Sequence, residues 1–456
     1  MVKCKVNRGF VYVTNYSYKF RELIQCIAEK AEQAIPCKKL NGIAIFLFGS
    51  PSRQEMVDKS DADIMIIRES DNDDYLIFRN KFIKLLEKEN FEKIDVPDWG
   101  NYEDCEAYIK DSITEGNQVV ESKFIYGDYE VNNRIEALKI RYCTKERFER
   151  VFCFQKLYFD QYYTQRTKPG IKNVKYGHGG TRDFMFLTWF INIIDTSEGR
   201  KINTEDNFPL AYKSLSSLYE RELINLDDYR KYSESVNIVL ILRNEILIQN
   251  ELTPEAGLTY LDERTLNLLF KRRVFKEDSL NNEDSLRNYL EIHIQNIAEL
   301  KNRIWDLFIS YIYSSRGSDW TNKFKKFLDG NIKRTDIELI EESDDLLQMA
   351  VIWNISKKEN LDLFEHIFDI YSNSNKWTVL ASLCCHKECS DKILNKVLEK
   401  GFRKGYEYLL KIISRNKNVS KETLKKIIEN PSLEYRYKIV AKTAYDKGVE
   451  KANDLR

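Results

Sequence analysis

Two aspartates, Asp61 and Asp63, are the residues whose type and spacing point most directly to chemistry. They lie in the segment Ser60-Asp61-Ala62-Asp63-Ile64, where a single small apolar residue separates them. Side chains two residues apart on a β-strand point to the same face, so both carboxylates are predicted to project together. Two neighbouring carboxylates repel each other unless cations hold them. The pair therefore predicts a site for Mg²⁺, with Mn²⁺ as the alternative ion.

A glycine–serine turn, Gly49-Ser50, precedes this pair and follows the apolar run 43–48. Glycine lets backbone N–H groups approach a phosphate closely, and the Ser50 hydroxyl can add a hydrogen bond. Magnesium ions that bridge a nucleoside triphosphate would balance the carboxylates and stabilise the attacking and leaving oxygens of phosphoryl transfer. The combination predicts triphosphate-dependent transfer. The alternative interpretation is a surface turn followed by a capped loop.

A third carboxylate is expected from a neighbouring strand, and Asp95 fits because it lies between Ile94 and Val96. A charged residue between two branched apolar residues points away from their packed face. Asp95 is predicted to complete the metal site or to accept the proton of the attacking hydroxyl. Asp98 is the competing candidate, and an ordinary exposed aspartate on a strand is the structural alternative.

The elements that position these residues follow from apolar periodicity. The pattern predicts helices over 20–35 and 82–88 and strands over 43–48, 62–67 and 91–96. From residue 112 to about residue 312 the pattern is almost entirely helical. The predicted fold class is α+β, with a small mixed sheet followed by a helical bundle.

The C-terminal part of the chain contains an internal repeat. The segments 350–368, 380–398 and 410–428 align without gaps at a spacing of 30 residues, and a fourth copy begins near Val440. Paired helices at such a period stack into a solenoid with an exposed concave surface. The functional interpretation is a partner-binding surface, and the alternative is a stabilising helical cap.

Composition limits the class of protein. With 456 residues, 43% hydrophobic and 32% charged, the chain is expected to fold into two or three domains. Lys and Arg total 72, as do Asp and Glu, so there is no general basic bias toward nucleic acid or anionic membrane, although a local basic groove stays open. Nine scattered cysteines, no signal peptide and no apolar run of about 20 residues predict a soluble cytoplasmic protein.

The segment 49–63 resembles the nucleotidyltransferase superfamily, whose pattern is an apolar strand, Gly-Ser or Gly-Gly, and then Asp-x-Asp. It is more specifically similar to PII-protein uridylyltransferases and glutamine synthetase adenylyltransferases. The uridylyltransferase signature, Gly-Gly-x-Gly-Arg-Gly-Glu, five residues and Asp-Ile-Asp, aligns here without a gap. Ser50, Ser52 and Gln54 replace glycines of that signature. The matching positions are Gly49, Arg53, Glu55, Ser60, Asp61 and Asp63.

Later stretches extend the resemblance over roughly residues 20–280. Segment 119–128 ends in Gly-Asp as in the family, and 173–183 resembles its hallmark Lys-x-Gly-x-Gly-Gly-x-Arg-Asp/Glu. The hallmark glycines either line the nucleotide or join two helices, and Arg182 either reaches a phosphate or pairs with Asp183 or Glu245. The resemblance implies a set of nucleotide-binding residues: Gly49, Ser50, Arg53, Ser60, Lys175 and Arg182.

The resemblance implies transfer of NMP from an NTP, such as ATP or UTP, to a hydroxyl group with release of pyrophosphate. The predicted domains are a nucleotidyltransferase domain at 1–130, a helical bundle at 131–330 and the repeat domain at 331–456, and the repeat domain has no counterpart in those enzymes. A protein acceptor bound by the repeats is favoured. The same chemistry on an RNA end or a small molecule is the first alternative, and a catalytically silent binding module is the second.

Overall fold

The computed structural model describes residues 8–36, 39–57, 60–70, 72–89, 94–95, 100–158, 172–175, 177–200, 209–250, 260–275, 280–338, 340, 344–355 and 361–449. The chain divides into two compact units. The first comprises Met1–Tyr102, Glu121–Phe148 and Tyr163–Phe308, and the second comprises Glu103–Val120, Glu149–Tyr162 and Ile309–Arg456. The boundaries of the three domains expected from the sequence stay predictions.

A sheet of four strands lies at the centre of the first unit. Its order is β3-β2-β1-β4, with β1 antiparallel to β2 and β4, and β2 parallel to β3. All residues of β1 are buried, as expected for an apolar central strand. The predicted combination of a small sheet with many helices is confirmed. The strands are β1 (Ile43–Leu47), β2 (Ala62–Arg68), β3 (Ile94–Asp95) and β4 (Lys123–Gly127).

One face of this sheet is covered by α1 (Arg8–Glu32) and α3 (Asp73–Leu86). Helix α1 begins earlier than residue 20, the start predicted from periodicity. The reason lies far along the chain, because the Asn237 side-chain oxygen accepts hydrogen bonds from the N–H groups of Gly9 at 2.7 Å and Phe10 at 3.3 Å. A side-chain acceptor of this kind satisfies N–H groups that a helix start otherwise leaves unpaired.

Helices make up most of the described residues between the sheet strands and residue 316. In the first unit α8 packs against α9, and α10 packs against α9, α1 and α11. A short pairing of β5 (Lys172–Asn173) with β6 (Tyr260–Leu261) accompanies them. The helices are α2 (Gly49–Ser52), α4 (Tyr102–Asp111), α5 (Thr114–Glu121), α6 (Tyr129–Tyr142), α7 (Lys145–Tyr158), α8 (Phe184–Ser197), α9 (Leu210–Glu220), α10 (Leu226–Asn250), α11 (Glu263–Lys271) and α12 (Glu283–Arg316).

The C-terminal helices belong to the second unit and follow the 30-residue spacing. Ile367, Val397 and Ile427, which occupy one position of the repeat, are all fully buried. Helices α15, α17, α19 and α21 pack against one another in that order. The helices are α13 (Ser318–Leu328), α14 (Arg334–Glu338), α15 (Asp345–Asn354), α16 (Leu361–Tyr371), α17 (Trp377–Cys385), α18 (Asp391–Gly401), α19 (Tyr408–Ser414), α20 (Lys421–Glu429) and α21 (Tyr435–Lys447).

The solenoid with a concave surface stays a prediction, as does its role in binding a partner. Asn360, Ser390 and Ser420 occupy one position of the 30-residue repeat, where the sequence predicts the cap of a second helix. Asn360 lies outside the described residues. The equivalent Ser420 accepts a hydrogen bond from the N–H of Thr423 and caps α20 as expected, whereas Ser390 makes no side-chain cap bond. None of the helices described is both long and apolar enough to cross a membrane.

Candidate active site

The two aspartates lie at the beginning of β2. Asp61 immediately precedes the strand and Asp63 is its second residue, and both are partly exposed. Ala62 and Ile64 alternate with them and are completely buried in the core beneath the sheet. This alternation places both carboxylates on the same face of the strand, in agreement with the spacing in the sequence.

Gly49 brings the preceding turn against Asp63. Its φ is +64°, in the left-handed region that glycine adopts without a steric penalty. A Cβ added to Gly49 would come closer than 3.0 Å to Oδ2 of Asp63, so a larger residue would displace that carboxylate. The Ser52 hydroxyl donates a hydrogen bond to the Gly49 carbonyl oxygen at 2.9 Å, and Ser50 is buried in the same short helix. Turn and carboxylate are therefore direct neighbours.

One residue of the turn that is not glycine adopts a positive φ, the backbone conformation that glycine favours. Gln54, which replaces a glycine of the uridylyltransferase signature, has a φ of +56°. The next residue, Glu55, donates its backbone N–H to the Ser50 carbonyl oxygen at 3.0 Å and closes the turn. The departure from the signature therefore changes the residue and retains a left-handed conformation, which costs a non-glycine residue about 1–2 kcal/mol.

Ser60 closes the loop that leads into the aspartate pair. Its hydroxyl oxygen accepts a hydrogen bond from the N–H of Val57 at 3.1 Å, and its own N–H donates to the Val57 carbonyl oxygen at 3.0 Å. Ser60 is almost completely buried. These contacts position Asp61, whereas the contact of Ser60 with a nucleotide stays a prediction.

Arg53 is held by two carboxylates. Its Nη1 lies 2.6 Å from Oε2 of Glu121, and its Nε lies 3.1 Å from Oε2 of Glu55. Burial alone would lower the pKa of Arg53, but the two negative charges outweigh it and raise the pKa. The Arg53 carbonyl oxygen also accepts a hydrogen bond from the N–H of Leu210 at 3.0 Å. The structure thus gives Arg53 a structural role, and Glu121 is the partner that the sequence did not reveal. Contact of Arg53 with a nucleotide stays a prediction.

Arg53→Met should lower the free energy of unfolding by about 2–4 kcal/mol, because two largely buried carboxylates would lose their counter-ion. Glu121→Gln should cost less, since Arg53 keeps Glu55. Urea denaturation of both variants and of the double variant gives the coupling energy between the two positions. Strictly additive costs would contradict the ion pair.

The backbone position of Asp95, the third candidate carboxylate, follows from the pairing of its strand. Strand β3 pairs with β2 in parallel register, with Asp95 opposite Asp63 and Ile94 opposite Ala62. Neighbouring strands lie about 4.8 Å apart, so Asp95 belongs to the strand position next to the aspartate pair. The side chain of Asp95 and all of Asp98 lie outside the described residues.

The donor set of the pair suits a hard cation. Mg²⁺ prefers a small number of carboxylate oxygens together with phosphate oxygens and water, and two partly exposed aspartates on one strand face offer the first of these. Among the described side chains, no group of three His, Cys, Asp or Glu residues is arranged to hold a metal ion by itself. The third carboxylate ligand, Asp95 or its competitor Asp98, stays a prediction.

The hallmark loop at 173–183 packs tightly against α12. Gly179 has a φ of +79°, and a Cβ there would overlap the carbonyl oxygen of Ile294 at well under 3.0 Å. The N–H of Gly179 donates to Oδ2 of Asp183 at 2.8 Å, and Oδ1 of Asp183 lies 3.5 Å from Nζ of the buried Lys301. This geometry favours the joining role of the hallmark glycines over the nucleotide-lining role.

Lys175 and Arg182 belong to the same loop. The N–H of Arg182 donates to the Lys175 carbonyl oxygen at 3.1 Å. Of the two carboxylates considered as partners of Arg182, Asp183 is paired as described above, and Glu245 lies 3.2 Å from Nη1 of Arg272. Contact of Lys175 or Arg182 with a phosphate stays a prediction.

The Gly-Asp segment at the end of β4 has a structural role. Gly127 has a φ of +109°, and a Cβ there would come closer than 3.0 Å to the carbonyl oxygen of Ile43 on β1. Asp128 accepts hydrogen bonds from the N–H of Glu130, which caps α6, at 2.9 Å and from the N–H of Gly42 at 2.7 Å. The segment therefore fixes β4, an edge strand of the same sheet that carries the candidate site.

Two family models match the chain. Residues 29–120 match the nucleotidyltransferase domain, and residues 161–305 match GlnD PII-uridylyltransferase. No curated protein matches the chain. The first match contains the Gly49 turn and the aspartate pair, and the second contains the hallmark loop and the helices around it. The resemblance drawn from the motifs is confirmed.

Proposed function

Because the chain belongs to the nucleotidyltransferase superfamily and carries a GlnD-like segment, we propose that it transfers NMP from an NTP to an acceptor hydroxyl. One observation carries the proposal: Asp61 and Asp63 share one face of β2, and Asp63 lies directly against the Gly49 turn. A triphosphate seated on that turn would have its phosphates beside both carboxylates.

The divalent cation of the proposed reaction would be held by Asp61 and Asp63, with Asp95 as the third ligand. Mg²⁺, or alternatively Mn²⁺, supplies positive charge that stabilises the attacking and leaving oxygens of phosphoryl transfer. The backbone of Gly49 and Ser50 would orient the triphosphate. Lys175 and Arg182 are the candidates for further phosphate contacts. Arg53 would stabilise the turn through its ion pairs with Glu55 and Glu121.

In the proposed transfer, the acceptor oxygen attacks the α-phosphorus while its proton passes to the Asp95 carboxylate. A new oxygen–phosphorus bond forms, the bond from the α-phosphorus to the α–β bridging oxygen breaks, and pyrophosphate leaves. Close placement of the acceptor and the triphosphate accounts for much of the rate gain in such a reaction. The sheet would supply that placement, because Asp63 lies on β2 and Asp61 immediately precedes it.

The proposed acceptor is a Tyr, Ser or Thr side chain of a protein, as similarity to PII-uridylyltransferases favours. The C-terminal helices, as a solenoid, would select that protein. ATP and UTP are the proposed donors. An RNA end is the second candidate acceptor, because the last repeats are rich in Lys and Arg.

The test is to incubate the full chain with each α-labelled NTP and host lysate, with and without EDTA. Label should enter protein with one or two of the nucleotides, and both EDTA and the Asp61→Ala/Asp63→Ala variant should abolish it. Label on RNA would move the acceptor to the second candidate. Absence of label with every nucleotide and both metal ions would overturn the proposed transfer in favour of a silent binding module.

Gly49→Ala should reduce transfer at least about 100-fold, because the methyl group would displace the Asp63 carboxylate from its position beside the turn. Stability should fall by only about 1–2 kcal/mol, the cost of a positive φ for alanine. Gly199→Ala is the matched control, since Gly199 has a φ of +69° and nothing lies within 4 Å of its added Cβ. Equal rates for the two variants would contradict the placement of the nucleotide.

A further inference from the structure

Charge is unevenly distributed along the C-terminal repeats. Residues 387–447 contain 16 Lys and Arg but 8 Asp and Glu, whereas the whole chain contains 72 of each. The preceding stretch, 331–386, contains 5 Lys and Arg and 10 Asp and Glu. The excess of basic residues is therefore confined to the last repeats, and the net charge of the whole chain, which is zero, does not reveal it.

Part of this excess forms a regular series. Lys387, Lys417 and Lys447 follow one another at the 30-residue spacing, and all three are exposed. Lys357 continues the series in the sequence, but it lies outside the described residues. The turns that carry the first two lysines stack directly, because the Asn418 side-chain amide donates to the Lys387 carbonyl oxygen at 2.9 Å. Packed helices lie about 8–10 Å apart, so the three lysines span about 20 Å.

These three lysines differ in their partners from Lys396 and Lys400 of the same repeats. Lys396 pairs with Asp369 at 3.0 Å, and Lys400 donates to the carbonyl oxygen of Asn373 at 2.7 Å, so both are used between neighbouring repeats. Over the described residues, Lys387, Lys417 and Lys447 form no salt bridge. Their charge is thus available to an external polyanion whose negative groups are spaced regularly along its length.

One exposed aromatic ring accompanies the basic series, because Tyr445 lies two residues before Lys447 on α21. Tyr445 is 37% exposed, and Nζ of Lys421 lies 5.4 Å from the centre of its ring. An exposed ring beside lysines can stack on an unpaired base, a feature that binding to an acidic protein surface would not need. Regular positive charge and a stacking ring together fit a single-stranded nucleic acid.

We propose that Lys387, Lys417, Lys447 and Tyr445, here called the basic edge, bind a single-stranded nucleic acid. The lysines contact consecutive parts of the phosphate backbone, and the tyrosine stacks on a base. Binding at the basic edge requires neither the aspartate pair nor a divalent cation. The inference therefore stands apart from the transfer reaction, whether the bound strand is the acceptor or brings the acceptor to the enzyme.

The test uses the full chain with Asp61→Ala/Asp63→Ala, in EDTA, and a labelled single-stranded RNA of mixed sequence. Fluorescence anisotropy measured over a salt series gives the affinity and its salt dependence. Lys387→Glu/Lys417→Glu/Lys447→Glu should weaken binding at least about ten-fold and reduce the slope of log K against log salt by about 2. The matched control reverses three exposed lysines of the first unit, Lys19→Glu/Lys30→Glu/Lys81→Glu, and should retain both values.

A second variant separates stacking from charge. Tyr445→Ala should weaken binding about ten-fold while leaving the salt slope unchanged. Equal affinity of the two triple-lysine variants would overturn the inference, as would polyglutamate competing as well as unlabelled RNA, which would indicate an acidic protein as the partner. Circular dichroism melts check that each variant is folded. Since the transfer site is silenced throughout, failure here leaves the proposed reaction untouched.

Discussion

Asp61→Asn and Asp63→Asn are each expected to reduce NMP transfer at least about 1000-fold, and the double variant should show none. Asparagine keeps the shape of aspartate and removes the charge that would hold a divalent cation beside the triphosphate. A 1000-fold loss corresponds to about 4 kcal/mol of transition-state stabilisation. Initial rates with the preferred labelled NTP, at saturating Mg²⁺ and again at saturating Mn²⁺, provide the measurement.

Asp227→Asn is the matched control for these variants, because its side chain is 95% exposed and its contact with Arg230, at 3.9 Å, is long. Its rate should equal that of the unmodified chain. Urea unfolding midpoints should change little for Asp61→Asn and Asp63→Asn, since both side chains are only partly buried. Either single variant retaining a tenth or more of the rate would show that the aspartate pair is not the cation site.

The part of the site that the sequence predicts is the part determined by neighbouring residues. The shared face of Asp61 and Asp63 follows from the two-residue period of a strand, and the burial of Ala62 and Ile64 agrees with it. The same holds for the glycine turn, because the φ of Gly49 and its closeness to Asp63 require no distant partner to be known. Local geometry therefore determines this part of the candidate site.

Interactions between residues far apart in the chain explain what the sequence could not predict. Arg53 matches a family position, but its side chain is held by Glu121, 68 residues later, and no local pattern signals that pairing. The early start of α1 depends in the same way on Asn237. Such contacts exist only once the fold has brought the partners together.

The repeats contain one feature that the sequence predicts and one that the total charge of the chain conceals. Their period of 30 predicts the buried positions occupied by Ile367, Val397 and Ile427, because each repeat must bury the same helix face. The total charge of the chain, by contrast, argues against a nucleic-acid partner, whereas exposure on successive turns singles out Lys387 and Lys417. The net charge of the chain does not record where the charged residues lie, and the electrostatic potential of a surface depends on their positions.

Gly179→Ala should be the most destabilising of the glycine substitutions, with a loss of about 3–5 kcal/mol. The added Cβ would overlap the carbonyl oxygen of Ile294, a backbone atom within α12 that cannot move away by itself. Alanine would also have to adopt the φ of +79°, at a cost of about 1–2 kcal/mol. Gly199→Ala and Gly317→Ala carry only this second cost, because nothing lies within 4 Å of either added Cβ.

Hydrogen exchange of peptides covering the hallmark loop and α12 is the appropriate measurement, since two compact units need not unfold in one transition. Gly179→Ala should accelerate exchange in both segments, and the two control variants should not. The same variant distinguishes the two interpretations of the hallmark glycines. If it retained the exchange protection of α12 and lost transfer, the loop would line the nucleotide; loss of protection in α12 would identify Gly179 as the close-packing point between the loop and the helix.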